Sequence, residues 1–180
     1  MSDALRQRLV RLGASEIVLG GDDNRVRRAG RVLGTRLSGD EIAAFEACHG
    51  ITLPDDYRRF LVEVGSGGLG PPYYGLRPLG ETVEPGAHPA APFPLRDGWS
   101  WETDEPLAPE KDELRRAAGR DGALVLGEEG CGRCAILVVS GPARGQVWDL
   151  SDYGAFPLEP RTGFWPWFSS WLDETSRSTR

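Results

Sequence analysis

The first third of the chain shows helical periodicity, with apolar residues that return every three or four positions. Residues 2–12 place three leucines on one face, which predicts a short amphipathic helix. A second helix begins at Ser38, where Ser38 and Glu41 form a Ser-x-x-Glu capping box. Gly50 marks its end, since glycine is the usual residue just past a helix.

A third helix is expected a few residues later. Pro54 suits a first helical position, and two aspartates follow it where the helix dipole favours negative charge. Gly65 stands where a left-handed cap would end the helix. The apolar face of this helix consists of Tyr57, Phe60, Leu61 and Val64.

The glycines at positions 65, 67, 68 and 70 spell Gly-x-Gly-x-x-Gly, the spelling of a dinucleotide-binding loop. Such a loop holds a pyrophosphate only when it follows a buried strand and opens a helix. Here the glycines follow a helix and precede Pro71-Pro72, which cannot begin a helix that donates backbone N–H groups. We therefore interpret them as an architectural cap and turn.

The last third of the chain changes period. Apolar and β-branched runs at 123–128, 134–141 and 145–151, separated by glycine-rich turns, predict successive antiparallel strands. A small charged helix is expected before them, at 109–118. The closing helix has an apolar face of Phe164, Trp167, Phe168, Trp171 and Leu172. Helices at both ends of a central set of strands predict an α+β domain rather than a βαβ repeat.

Between the helices and the strands lies a long proline-rich stretch, from about position 71 to 109. Its prolines allow only short regular structure, and a loop of this length in a compact domain is usually functional or partly disordered. It carries four large aromatic residues, Tyr73, Tyr74, Trp99 and Trp101. This is much aromatic surface for a loop.

Composition excludes several classes of protein. The net charge is −6, with 27 acidic and 21 basic residues and no prominent basic patch, which argues against a general nucleic-acid binder. No stretch is apolar enough for a membrane span, and the N-terminus lacks the apolar core of a signal peptide. Three sparse cysteines suit a reducing compartment. We expect a cytoplasmic protein.

Candidate chemistry is sparse. Cys131 and Cys134 form a Cys-x-x-Cys, but zinc would need two further ligands, and Cys48-His49 is the only other cluster. A redox pair would open a helix, whereas this pair leads into a strand, which favours a turn with incidental thiols over a metal or redox site. Only two histidines are present, and no Gly-x-Ser-x-Gly elbow. The sequence predicts no enzyme activity, no metal and no cofactor.

The order of these segments resembles the SMI1/KNR4 (SUKH) superfamily across about residues 38–173. The resemblance rests on a Leu-Pro-x-Asp-Tyr-x-x-Phe-Leu helix with a Gly-Gly turn, a Gly-Cys-Gly stretch before an apolar strand, a Gly-x-Val-Trp strand and an aromatic closing helix. The matching positions are Leu53, Pro54, Asp56, Tyr57, Phe60, Leu61, Gly67, Gly68, Cys131, Gly145, Val147, Trp148, Phe164, Trp167, Trp171 and Leu172.

The resemblance implies one α+β domain with a mostly antiparallel sheet and no catalytic residues, acting as a protein-binding module. Residues 1–37 would be an N-terminal helical extension, 38–175 the domain and 176–180 a disordered tail. Bacterial members resemble immunity proteins that bind and neutralise a cognate toxin of a polymorphic or contact-dependent system. Fungal relatives are regulators linked to cell-wall synthesis.

The long loop is the candidate partner-binding segment. Its aromatic residues would be anchors inside an acidic rim that suits a basic toxin such as a nuclease. The candidates are Tyr73, Tyr74, Trp99, Trp101, Glu102, Asp104 and Glu105. Trp99 and Trp101 could instead simply cover the sheet. An alternative function is a regulatory or sensory domain that binds a small ligand or peptide between the sheet and the loop.

Overall fold

The computed structural model describes residues 2–13, 33–71, 74–103 and 106–178. The helices in these ranges are α1 (Ser2–Gly13), α2 (Gly39–His49), α3 (Asp55–Glu63), α4 (Pro109–Ala118) and α5 (Phe164–Ser178), with a 3-10 turn at Leu79–Glu81. The strands are β1 (Trp99–Ser100), β2 (Ala123–Gly130), β3 (Arg133–Val138), β4 (Val147–Ser151) and β5 (Gly154–Pro157).

The strands form one antiparallel sheet in the order β1-β5-β4-β3-β2. The predicted α+β class, with a central antiparallel sheet flanked by helices, is confirmed. The three predicted strands are β2, β3 and β4. The prediction missed β1, which has two residues inside the proline-rich stretch, and β5, whose glycine and proline are rare in strands.

The first face of the sheet packs against helices. Leu137 and Val147, on neighbouring strands, are fully buried there with residues of α1, α2, α3 and α5. Helices α3 and α5 meet through aromatic rings, with centroids 4.7 Å apart for Tyr57 and Phe164. The aromatic face of the closing helix is therefore core, as its spacing predicts.

The second face of the sheet is covered by the proline-rich stretch and α4. Ile136 and Trp148 alternate along their strands with the residues of the first face, so they point to the other side. The cluster around them consists of Phe93, Leu95, Trp101, Ala118, Ile136, Val138, Ala143, Trp148 and Ala155. Both faces of the sheet are thus buried.

The predicted helix caps hold in α2 and differ in α3. Ser38 and Glu41 make both hydrogen bonds of the capping box, and Gly50 is left-handed at φ 65°. Helix α3 instead has Val64 as its C-terminal cap, in a right-handed conformation. Gly65 lies at φ 153°, so it is the first residue of the turn and not a left-handed cap.

The glycines after α3 form a junction with the chain before α2. The Gly34 N–H donates to Gly67 O at 3.0 Å, and the Ser66 N–H donates to Thr35 O at 2.8 Å. A Cβ added at Gly34 would lie 1.6 Å from Ser66 O. The backbones are in contact, and these glycines are architectural, as expected.

Helix α1 is docked on the domain, since Leu9 and Leu12 are buried in the first core. The Arg8 guanidinium donates to Ser176 Oγ at 2.9 Å and to Leu172 O at 3.1 Å. Helix α5 runs through Ser178, so part of the stretch expected as a disordered tail is helical and contacts α1. Of the expected N-terminal extension, residues 1 and 14–32 lie outside the described residues.

We predict that Gly34→Ala lowers the free energy of unfolding by about 3 kcal/mol, because the new methyl group overlaps Ser66 O and the backbones must separate. Gly39→Ala is the matched control, since a Cβ at Gly39 meets nothing within 4 Å at the start of α2. It should leave the stability unchanged or raise it by up to about 1 kcal/mol. Urea unfolding followed by tryptophan fluorescence measures both; equal effects would contradict the junction.

Candidate functional site

The structure separates the residues proposed for partner binding. Tyr73, Asp104 and Glu105 lie outside the described residues. The Tyr74 N–H donates to Glu128 O at 3.2 Å, so Tyr74 lies along β2 at one edge of the sheet. Trp99 belongs to β1 at the opposite edge. Tyr74 and Trp99 therefore do not belong to one compact group of anchors.

Trp101 is largely a structural residue. Its side chain is 8% exposed and packs in the second core. Its indole Nε1–H donates to Asp152 O at 2.8 Å, and its backbone N–H donates to Tyr153 O at 3.0 Å. These bonds tie the chain after β1 to the β4–β5 turn. Little of the ring is left for a partner.

Trp99 is partly buried beside Trp101. The two ring centroids are 5.4 Å apart in an edge-to-face arrangement. Trp99 pairs with Ala155 of β5, which puts its side chain on the second face at the margin of the sheet. It can contact a partner with the part of the ring that the core does not cover.

Near β1 lie two exposed aromatic residues that were not among the predicted binding residues. Tyr153, in the β4–β5 turn, is 56% exposed, and Phe156 of β5 is 42% exposed. The Phe156 ring lies over glycines, because Cβ atoms added at Gly98 and Gly154 would approach it to 2.6 and 2.5 Å. We call Trp99, Tyr153 and Phe156 the aromatic edge, because all three lie at this margin of the sheet. Side chains alternate along β5, so Phe156 points to the first face, whereas Trp99, opposite Ala155, points to the second. The sequence carries only a weak signal for this surface, namely Tyr153 and Phe156 on either side of Gly154. The same pattern is typical of an ordinary turn.

Acidic residues accompany the aromatic edge. Glu102 and Asp152 are both exposed; Asp152 directly follows β4, and Glu102 comes two residues after the end of β1. Nearby, the exposed Asp97 pairs with Arg161 at 2.5 Å, so that carboxylate is already balanced. The described part of this edge thus joins apolar rings to unbalanced negative charge.

Three charged residues cluster at the β2–β3 end of the sheet. Arg133 contacts the carboxylates of both Asp149 and Glu129. Partial burial and then the charge of Asp149 raise the pKa of Glu129, while Arg133 acts in the opposite direction. Asp149 Oδ1 is buried with no hydrogen-bond partner among the described residues. In the contacts of the described chain, no histidine, cysteine or hydroxyl group is paired with these two carboxylates.

The two cysteines lie at the β2–β3 hairpin, Cys131 in its turn and Cys134 in β3. Cys131 and Gly132 connect β2 to β3, and both have positive φ, at 52° and 72°, as in a type I′ turn. Cys131 is exposed, whereas burial raises the pKa of the Cys134 thiol to about 11. Within the ranges the structure describes, no group of three or more His, Cys, Asp or Glu side chains is placed to hold a metal ion.

The space between the sheet and the chain that covers its second face is small. A cavity of about 20 Å³ lies there, lined by Thr82, Ala118 and Ile136 among others. This is room for about one water molecule. The same described residues include no helix long and apolar enough to cross a membrane.

Comparison with known proteins identifies a family. The model of the SMI1 / KNR4 family (SUKH-1) matches residues 36–174, which is most of the chain. The match begins just before α2 and ends within α5, so it includes the whole sheet. Neither a search of curated proteins nor a search of solved structures found a match.

We predict that iodoacetamide at pH 8 alkylates Cys131 at least tenfold faster than Cys134. The thiolate is the nucleophile, and a thiol with a pKa of about 11 is about one part in a thousand ionised at pH 8. The rate at Cys134 should therefore rise about tenfold per pH unit from pH 7 to 9. Peptide mass spectrometry measures both rates. Equal labelling would contradict the burial of Cys134, and protection of both thiols by a shared disulfide would support a redox pair instead of a turn.

Proposed function

The chain belongs to the SMI1/KNR4 family (SUKH-1), and on this premise we propose that it is a non-catalytic protein-binding domain. More specifically, we infer an immunity protein that works in the cytoplasm of a bacterium. There it would bind and neutralise a cognate toxin of a polymorphic or contact-dependent system. The observation that carries the proposal is the aromatic edge, with its exposed rings beside acidic residues.

The aromatic edge has the physical character of a protein-binding surface. Tyrosine and phenylalanine offer large apolar area at the cost of ordering two side-chain torsions, and aromatic residues are enriched at interfaces. Tyr153, in the β4–β5 turn, and Phe156, on β5, are both over 40% exposed, so a partner can bury further ring surface on either residue. β1 pairs with two of the four residues of β5, Gly154 and Ala155, so it covers half of that strand.

The charge of the chain favours a basic partner. Glu102 and Asp152 flank the aromatic edge, and the net charge of the chain is −6. Asp104 and Glu105 remain part of the proposed rim. Opposite charge speeds encounter, and this effect weakens as salt is added. A nuclease toxin, whose substrate-binding surface must be basic, fits this requirement.

The alternative is a regulatory or sensory domain that binds a small ligand or peptide between the sheet and the loop. It has less support, because the cavity at that place is about 20 Å³. Ligand-binding pockets usually measure at least about 300 Å³. Saturable stabilisation by a small molecule in a thermal-shift screen would favour it.

The first test is a pull-down from the source organism with the tagged chain, followed by mass spectrometry. A stoichiometric partner with a toxin domain would support the proposal. If the chain returns alone while such a toxin is expressed, the immunity proposal is contradicted.

We predict that Tyr153→Ala raises the Kd for that toxin about 30-fold, the effect of an average hot spot, because the exposed ring is an anchor. Glu102→Lys should slow association, most strongly at low salt. Both variants should melt within about 2 °C of the parent, since surface substitutions alter stability little. Calorimetry and surface plasmon resonance give the affinities and rates.

Val10→Ala is the binding control, because Val10 is 53% exposed on α1 and belongs to no proposed contact. Trp101→Ala is the structural contrast and should lower the melting temperature strongly, through loss of a buried ring. Unchanged affinity for both Tyr153→Ala and Glu102→Lys would remove the aromatic edge from the interface and leave the family assignment intact.

A further inference from the structure

A cleft of about 280 Å³ lies between α3 and the start of α5. It is on the helical side of the domain and shares no residue with the aromatic edge. Its volume is below that of most small-molecule pockets, and it suits one long side chain. Its two parts are an apolar floor and a charged rim.

The floor of the cleft is apolar and fixed. Phe60 and Val64 line it and are almost fully buried, so the core holds them in place. Trp165 lines the α5 side and is partly buried. Its ring is stacked on Phe168, with centroids 6.2 Å apart and an interplanar angle of 28°. An indole held in this way can present its remaining surface to a ligand.

Asp56 fixes the rim of the cleft where the two helices begin. Its Oδ2 accepts a hydrogen bond from the backbone N–H of Trp165 at 2.9 Å, and its Oδ1 accepts one from the backbone N–H of Tyr57 at 2.8 Å. One carboxylate therefore joins the first turns of α3 and α5. The geometry of the cleft is set before any ligand arrives.

The rim carries more negative than positive charge. Asp55, Asp56 and Glu63 line it, with Arg59 as the one cation among the lining residues. Arg59 Nε donates to Glu63 Oε1 at 2.8 Å, so these two charges balance. Arg36 donates to Glu63 O at 2.8 Å but is itself paired with Asp3. Asp55 is exposed and makes no hydrogen bond or ion pair to a described residue.

We propose that the cleft is a socket for one arginine side chain of a basic partner protein. The guanidinium would stack on Trp165 and form an ion pair with the Asp55 carboxylate. The aliphatic part of the side chain would lie over Phe60 and Val64. Arginine suits a site that offers both an aromatic face and a carboxylate. Lysine would make the ionic contact but stack less well. The socket does not depend on the aromatic edge, because it rests on different residues.

The test uses Nα-acetyl-arginine amide as the probe and Nα-acetyl-citrulline amide as its uncharged isostere. NMR spectra follow the indole N–H of Trp165, which Trp165→Phe identifies among the six tryptophans. We expect a saturable shift with the arginine probe at a Kd on the order of 1 mM, as for other ligands of this size. The citrulline probe should bind at least tenfold more weakly.

Variants locate the charge that the probe needs. Asp55→Asn should weaken arginine binding at least fivefold. Glu110→Gln is the matched control, because Glu110 is also an exposed acid in the first turn of a helix, α4. Should Asp55→Asn fail to fold, Glu63→Gln tests the same dependence on negative charge. It removes the ion-pair partner of Arg59, and the unbalanced positive charge should weaken arginine binding. Thermal melting verifies folding in each case.

Three results would overturn the socket. These are no shift of the Trp165 indole, equal binding of the two probes, and full arginine affinity in Asp55→Asn. Each can occur while the toxin binds normally through the aromatic edge. Conversely, the socket can bind the arginine probe even if no toxin is found, so the two proposals fail separately.

Discussion

Burial of the central sheet on both faces is the constraint on which the rest of the structure depends. Side chains alternate along β3 and β4, and Leu137 and Trp148 are both fully buried although they point to opposite sides. Four helices cover one face, whereas α4 is the one helix of the described residues that packs on the other. The rest of the cover on that face comes from a chain segment too rich in proline to form long helices or strands. Without that segment, the apolar residues of the second face would be open to water.

This constraint determines which surface is left for a partner. The segment along the outer edge of β2 is bonded to it, with the Arg77 N–H donating to Leu126 O at 2.7 Å, so that edge is closed. Along the opposite edge, the described residues form a strand of two residues, β1, and Trp101 after it bonds to the β4–β5 turn. The aromatic edge lies there, and it is apolar, exposed and next to acidic residues. The core of the domain is thus conventional, and the surface that we propose for a partner lies at one margin of the sheet.

The sequence predicts most of the architecture because the relevant signals are local. The capping box at Ser38, the helical spacing in α3 and the apolar runs of β2, β3 and β4 need no knowledge of the rest of the chain. β1 and β5 could not be predicted, since a strand as short as Trp99–Ser100 exists only through its partner. The site was harder for the same reason. The sequence places Trp101 in a loop, but its side chain is buried in the core. Tyr153 is exposed because it lies in a turn, and the Phe156 ring lies over glycines and stays exposed.

The most direct test of the central claim is hydrogen–deuterium exchange of the chain with and without its captured toxin. The account predicts new protection in residues 97–103 and 152–157, with the β2 edge unchanged because its amides are already bonded. Protection confined to the β2 edge or to α2, with none at the aromatic edge, would contradict it.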